Sequence, residues 1–136
     1  MKVAYEDLSA ANMAYFHALE AAMREVLHSG WYILGPKVEA FEKEFAQYCG
    51  SAHCVGVASG LDALILALEA LDLSPGDEVI IPPNTYVATI LAAGRARLTP
   101  VLVEPDLATY NIDPNRIEER VNSRTKAIMV VHLYGK

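Results

Sequence analysis

Two runs, Val79-Ile80-Ile81 and Ile128-Met129-Val130-Val131, are apolar at every position, without the alternation of a strand that keeps one face wet. A strand of that kind has to be covered on both sides. Around these runs, strand-like and helix-like stretches take turns. His53 to Val57 reads as a buried strand, Leu61 to Leu71 as a helix, Glu78 to Ile81 as a strand and Tyr86 to Gly94 as a helix. Pro100 to Val103 follows as a strand, Pro114 to Val121 as a helix opened by Asp113 and Pro114, and Ala127 to Val131 as a strand. Repeated strand–helix–strand order predicts an α/β fold: a mostly parallel sheet with helices on both faces and right-handed crossovers.

The residues before the first of these strands follow a helical period instead. Tyr15, Phe16, Leu19, Met23, Val26 and Leu27 share one face of a helix that stops at Ser29-Gly30. A second helix starts at Pro36, a residue suited to a first helical position, carries Val38, Phe41, Phe45 and Tyr48 on one face, and ends at Gly50. The chain is thus expected to divide into an N-terminal helical segment, residues 1–52, and an α/β segment, residues 53–136. The connector Gly30-Trp31-Tyr32-Ile33-Leu34-Gly35 has two readings, a packed crossing or the lining of a pocket.

Composition narrows the function. With 136 residues, 53% hydrophobic and 21% charged, the chain is globular and fits one domain of ordinary size. The formal net charge of −6 is the wrong field for a phosphate backbone, which argues against nucleic acid as a partner. A mean hydropathy of +0.21 leaves apolar surface to be covered by a partner subunit or further chain. Glu6 and Asp7 stand where the apolar core of a leader would begin, and Cys49 and Cys54 form no CxxC pair, so the expected compartment is the cytoplasm with both thiols reduced. The longest apolar stretch, Leu61 to Leu73, is broken by Asp62, Glu69 and Asp72 and is too short for a membrane span. No histidine pair has metal-ligand spacing, so no metal site is assigned.

In open parallel sheets, ligands gather beyond the carboxyl ends of the strands, so the residues just after each strand carry the chemistry. The first such stretch is Ala58-Ser59-Gly60-Leu61-Asp62-Ala63-Leu64. Ser59 with Asp62 three residues on resembles a capping box, and Gly60 keeps the helix mouth bare. Free N–H groups and the positive end of the dipole make an anion site suited to phosphate, and an ordinary capped helix is the plainer alternative. The pattern is neither GxGxxG nor GxxxxGK[ST]. Next comes Pro82-Pro83-Asn84-Thr85-Tyr86, where two prolines force an extended exit and hold Tyr86 near the strand end. Its ring could cover a flat heterocycle whose phosphate sits at Gly60, or it could be a core aromatic. Glu104 and Asp106 read as turn chemistry. The last stretch is His132-Leu133-Tyr134-Gly135.

Gly30-Trp31-Tyr32-Ile33-Leu34-Gly35-Pro36, Phe41-Glu42-x-Glu44-Phe45, Ser59-Gly60-Leu61-Asp62-Ala63-Leu64 and Gly76-Asp77-Glu78-Val79-Ile80 stand in this order along the chain. Asn84-Thr85-Tyr86-Val87-Ala88-Thr89, Thr109-Tyr110-Asn111-Ile112-Asp113 and His132-Leu133-Tyr134-Gly135 follow. In that order and spacing they resemble the N-terminal part of the DegT/StrS-type nucleotide-sugar aminotransferases, from about Asp7 to Gly135. Within that family the set looks most like enzymes that aminate C3 of dTDP-linked 3-keto-6-deoxyhexoses.

The resemblance implies that residues 53–136 are the first, incomplete part of the large domain of a fold type I transferase, with pyridoxal 5'-phosphate as cofactor and a homodimer as the working assembly. It implies that Ser59, Gly60 and Leu61 face the cofactor phosphate, Gly60 and Leu61 through backbone N–H groups, that Tyr86 stacks on the pyridine ring and that Tyr32 faces substrate. Leu61 stands where the family often has Thr, so a hydroxyl contact to phosphate is lost. The implied reaction is ping-pong transfer of an amino group from a donor, expected to be L-glutamate, to a nucleotide-linked keto-deoxysugar of lipopolysaccharide or antibiotic biosynthesis. The family's Schiff-base lysine and pyridine-nitrogen aspartate lie beyond Lys136, which is no substitute because it follows the glycine of a different motif. The 136 residues alone are therefore expected to be inactive. The alternatives are a non-catalytic binding or regulatory fragment of the same fold and, more weakly, a simple nucleotide-binding α/β domain.

Overall fold

A computed structural model of the chain describes residues 5–136; the part of the leader argument that rests on Met1 to Ala4 lies outside the described residues. The chain forms two compact units that divide after Gly56.

The first unit is helical. A short helix α1, Leu8–Asn12, absent from the expected pattern, is capped by the Asp7 carboxylate, which accepts from the Ala10 N–H at 2.9 Å. A 3-10 turn leads into α2, Phe16–Ser29, which stops at Gly30 with φ +68°. Helix α3, Pro36–Cys49, opens on its proline and stops at Gly50 with φ +67°, a left-handed position that glycine takes without a Cβ penalty. Both helices therefore have the limits that their punctuation predicts. Lys37 and Glu25 pair at 2.7 Å, and the Glu42 carboxylate accepts the Gly56 N–H at 2.7 Å.

The second unit is built on one strand. β1, Glu78–Ile81, lies between β2, Thr99–Leu102, and β3, Thr125–Ile128, and pairs in parallel with both. Alternate side chains of β1 enter two separate cores. Val79 and Ile81 pack with Leu68 of α4 (Gly60–Glu69), Ala92 and Ala93 of α5 (Ala88–Arg95), and Leu98. Ile80 packs with Val103 and Ile112, against which Ile117 of α6 (Pro114–Ile117) also lies. β1 is thus covered on both faces, which explains its apolar run Val79-Ile80-Ile81, whereas in the second run, expected to be covered in the same way, Ile128 and Val130 are exposed. Pro100 sits in β2, at the sheet's edge, where a missing N–H costs no ladder bond on the open side.

Glu78, at the start of β1, is buried. Asn122 Nδ2 donates to its Oε2 at 2.7 Å, and the Arg124 guanidinium pairs with its Oε1. This pairing carries the charge into the interior and ties the start of β1 to the turn before β3.

One expected strand is not formed. Residues 53–57 have no strand structure, and Val55 is 74% exposed. An apolar run becomes a strand only when a neighbouring backbone supplies its ladder, and among the described residues none does. Other limits shift less. α5 begins at Ala88, two residues later than expected, and α6 tightens into a 3-10 turn at Glu118–Arg120. β3 ends at Ile128, although the Met129 N–H still donates to Ile80 O at 2.8 Å. Among the described residues no helix is long and apolar enough to cross a membrane.

Candidate functional site

Three segments that follow or precede these elements meet around an open cavity of about 800 Å³. Ser59, Gly60 and Leu61 come from the start of α4, Thr85 to Thr89 from the exit of β1, and Val131, His132 and Leu133 from the exit of β3. Parallel strands put these exits at one end of the sheet, so residues far apart in sequence share a mouth.

At the start of α4, Ser59 is extended (φ −155°, ψ 163°) and caps the helix. Its Oγ accepts the Asp62 N–H at 3.2 Å and donates to Asp62 Oδ2 at 2.9 Å, while its carbonyl accepts the Ala63 N–H at 3.1 Å. Asp62 thus replaces the usual Glu or Gln of a capping box, but its carboxylate reaches the Ser59 hydroxyl rather than the backbone. Among the described residues, the N–H groups of Gly60 and Leu61 meet no acceptor. A Cβ at Gly60 would meet nothing within 4 Å, so the helix mouth is open. The helix dipole adds positive potential at the same place.

Across the cavity, Tyr86 is 79% exposed, which excludes the reading as a core aromatic. Behind it Thr89 is buried, and its hydroxyl shares a 2.8 Å hydrogen bond with that of Thr85. The segment before α5 is therefore held in place while its tyrosine ring stays free.

Tyr32 is not among the cavity's lining residues. It lines a depression of about 270 Å³ in the first unit with Val26, Trp31 and Lys37, and its hydroxyl donates to Leu27 O at 3.2 Å. Trp31 Nε1 donates to Ile33 O at 2.8 Å, so the connector folds on itself around a pocket. Asp106 does the turn work its sequence suggests: its Oδ1 accepts the N–H groups of Ala108 at 2.7 Å and Thr109 at 3.0 Å. Sequence reasoning gave no task to Asn111, whose side chain bonds the segment after His132. An asparagine two residues after a threonine in a turn carries no signal of a partner 22 positions away.

Residues 17–136 match the DegT/DnrJ/EryC1/StrS aminotransferase family. The chain belongs to this family. Within the DegT/DnrJ/EryC1/StrS aminotransferases, it is 59% identical over 134 residues to the dTDP-3-amino-3,6-dideoxy-alpha-D-galactopyranose transaminase of Aneurinibacillus thermoaerophilus, covering 98% of this chain and 37% of that protein. Its fold matches the crystal structure of S. venezuelae DesV with a TM-score of 0.93 at 48% identity, over 98% of this chain and 36% of that one. It also matches the structure of ntda from Bacillus subtilis with bound cofactor PMP, with a TM-score of 0.88 at 34% identity, over 100% of this chain and 32% of that one. The chain spans about a third of the length of the relatives it matches, and its sheet and helices form part of the fold of these aminotransferases.

Proposed function

We propose that the chain is the cofactor-holding N-terminal part of an aminotransferase that uses pyridoxal 5'-phosphate to aminate a nucleotide-linked keto-deoxysugar. The observation that carries this reading is the pairing, in one cavity, of two free N–H groups at a helix start with an exposed aromatic ring. A phosphorylated pyridine needs those two things. Gly60 and Leu61 offer donors to a phosphate at the positive end of α4, and the bare glycine lets the anion come close to the backbone. Ser59 is committed to capping, so its share in the site is to hold the helix mouth in shape. Tyr86 offers a flat apolar face to the ring, at little cost in conformational freedom. These residues fit the cofactor.

Pyridoxal phosphate, when bound, acts as an electron sink for carbanion chemistry at the amino-bearing carbon. What these residues contribute is binding and orientation: two N–H donors fix one end of the ligand, a ring covers its flat part, and Val131, His132 and Leu133 close a third side. The amino donor is L-glutamate in this reading and the acceptor is a dTDP-linked 3-keto-6-deoxyhexose, as the name of the Aneurinibacillus relative suggests. Tyr32 faces the sugar substrate, and the working assembly is a homodimer. The compartment is the cytoplasm, where two free thiols, Cys49 and Cys54, stay reduced.

The test is an assay of the protein translated from the whole reading frame, with pyridoxal phosphate, glutamate and a dTDP-linked 3-keto-6-deoxyhexose. The expected result is cofactor absorbance that responds to glutamate, followed by formation of the 3-amino sugar. A protein that binds the cofactor and aminates nothing would return the reading to a non-catalytic member of the fold.

A further inference from the structure

Residues 105–112 lie outside the cavity lining and yet hydrogen-bond toward two of its walls. The loop is stiff in its own right. Pro105 and Ile112 form an antiparallel bridge, the Asp106 N–H donates to Asn111 O at 2.9 Å, and the Tyr110 N–H donates to Asp106 O at 2.7 Å. Ile112 is buried with Ile80 and Val103, so the backbone of Asn111 is fixed beside the core.

From that base the Asn111 amide reaches the segment after β3. Its Oδ1 accepts the Leu133 N–H at 2.9 Å and its Nδ2 donates to Lys136 O at 3.1 Å. The two partners determine which way the amide faces, because an N–H can only donate and a carbonyl can only accept. The held segment needs holding. Tyr134 has φ +57° and Gly135 φ +78°, and a tyrosine in the left-handed region persists where its surroundings impose it. On the other side, Asn84 Nδ2 donates to Tyr110 O at 3.4 Å, next to Thr85 and Tyr86.

We infer that Asn111 is a positioning residue that holds His132 and Leu133 at the cavity wall in the shape that receives the cofactor. It does so without touching the cofactor, and the inference rests on the reading given under Proposed function. One side chain serves because a primary amide supplies a donor and an acceptor in one plane. Alanine supplies neither, and aspartate keeps the acceptor while losing the donor.

The experiment uses the full-length protein and two readouts. Amide hydrogen exchange is followed at Leu133, and pyridoxal phosphate affinity is titrated together with the near-ultraviolet circular dichroism of the bound cofactor. In Asn111→Ala, exchange at Leu133 should quicken about tenfold and cofactor affinity fall about tenfold, with an altered dichroism band at saturation and an unchanged melt of the cofactor-free protein. In Asn111→Asp, exchange at Leu133 should stay slow and affinity should fall by about threefold. Asn111→Asp also decides the matter if the alanine variant does not fold. Wild-type affinity and dichroism in a folded Asn111→Ala protein would overturn the inference, as would wild-type values in Asn111→Asp should that be the only variant to fold. Wild-type protein that takes up no pyridoxal phosphate would instead overturn the proposed function, while exchange at Leu133 would still report whether the clamp exists.

Discussion

The two units use their apolar side chains in opposite ways. In the second, every residue of β1 is buried, and Val79, Ile80 and Ile81 are wholly enclosed by side chains of the same unit. In the first, Leu19, Met23 and Leu27 on α2 and Phe41 and Phe45 on α3 are all exposed, although they fall on the faces that their spacing predicts. Phe41 and Phe45 stack with ring centroids 5.4 Å apart, yet both remain open to solvent. Helical period tells which face is apolar and supplies nothing to cover it. A central strand differs because its neighbours in the sheet bring their own helices over both faces.

The largest expected effect is at the strand. Ile80→Ala should cost about 2–5 kcal/mol in denaturant unfolding of the 136-residue chain, whereas Met23→Ala should stay within about 0.5 kcal/mol. Comparable losses at the two sites would break the contrast. If Met23→Ala becomes costly only in a longer form of the protein, the α2 face is covered there.

Next is the buried carboxylate of the same strand. Glu78→Ala strips Asn122 and Arg124 of their shared acceptor and should cost about 1–3 kcal/mol in the same measurement. A neutral result would mean that the apolar side chains of β1 alone hold the start of the strand.

In the first unit, the backbone matters more than the exposed side chains. Gly50→Ala forces a Cβ into a left-handed position and should cost about 1–2 kcal/mol, more than Met23→Ala. The reverse order would show that the α2 face is buried after all.

An effect on stability as small as that of Met23→Ala is expected at the site. Tyr86→Ala should leave unfolding within about 0.5 kcal/mol and lower pyridoxal phosphate affinity in the full-length protein by about tenfold. A large loss of stability with unchanged affinity would make Tyr86 part of the scaffold and remove it from the proposed site.

The features legible in the sequence were those made by neighbours along the chain. Gly30, Pro36 and Gly50 mark helix ends because the reasons, a left-handed turn and a preset φ, are local to each residue. Ser59 could be read as a cap from its neighbours, and Tyr86 as a mouth residue because a parallel sheet puts its strand exits at one end, while Gly60 and Leu61 reach the same mouth from the start of α4 without the strand expected before them. Tertiary structure decided what depends on a partner. Residues 53–57 have the composition of a strand, but a strand is a relation between two backbones, and among the described residues the second is missing. Asn111 had no task legible in the sequence, and gained a distant partner only when the fold set its Oδ1 2.9 Å from the Leu133 nitrogen, 22 residues further on. Local sequence determines the conformations a backbone prefers. Which distant group satisfies a given donor or acceptor is settled only when the chain packs, because water meets that need equally well until packing excludes it.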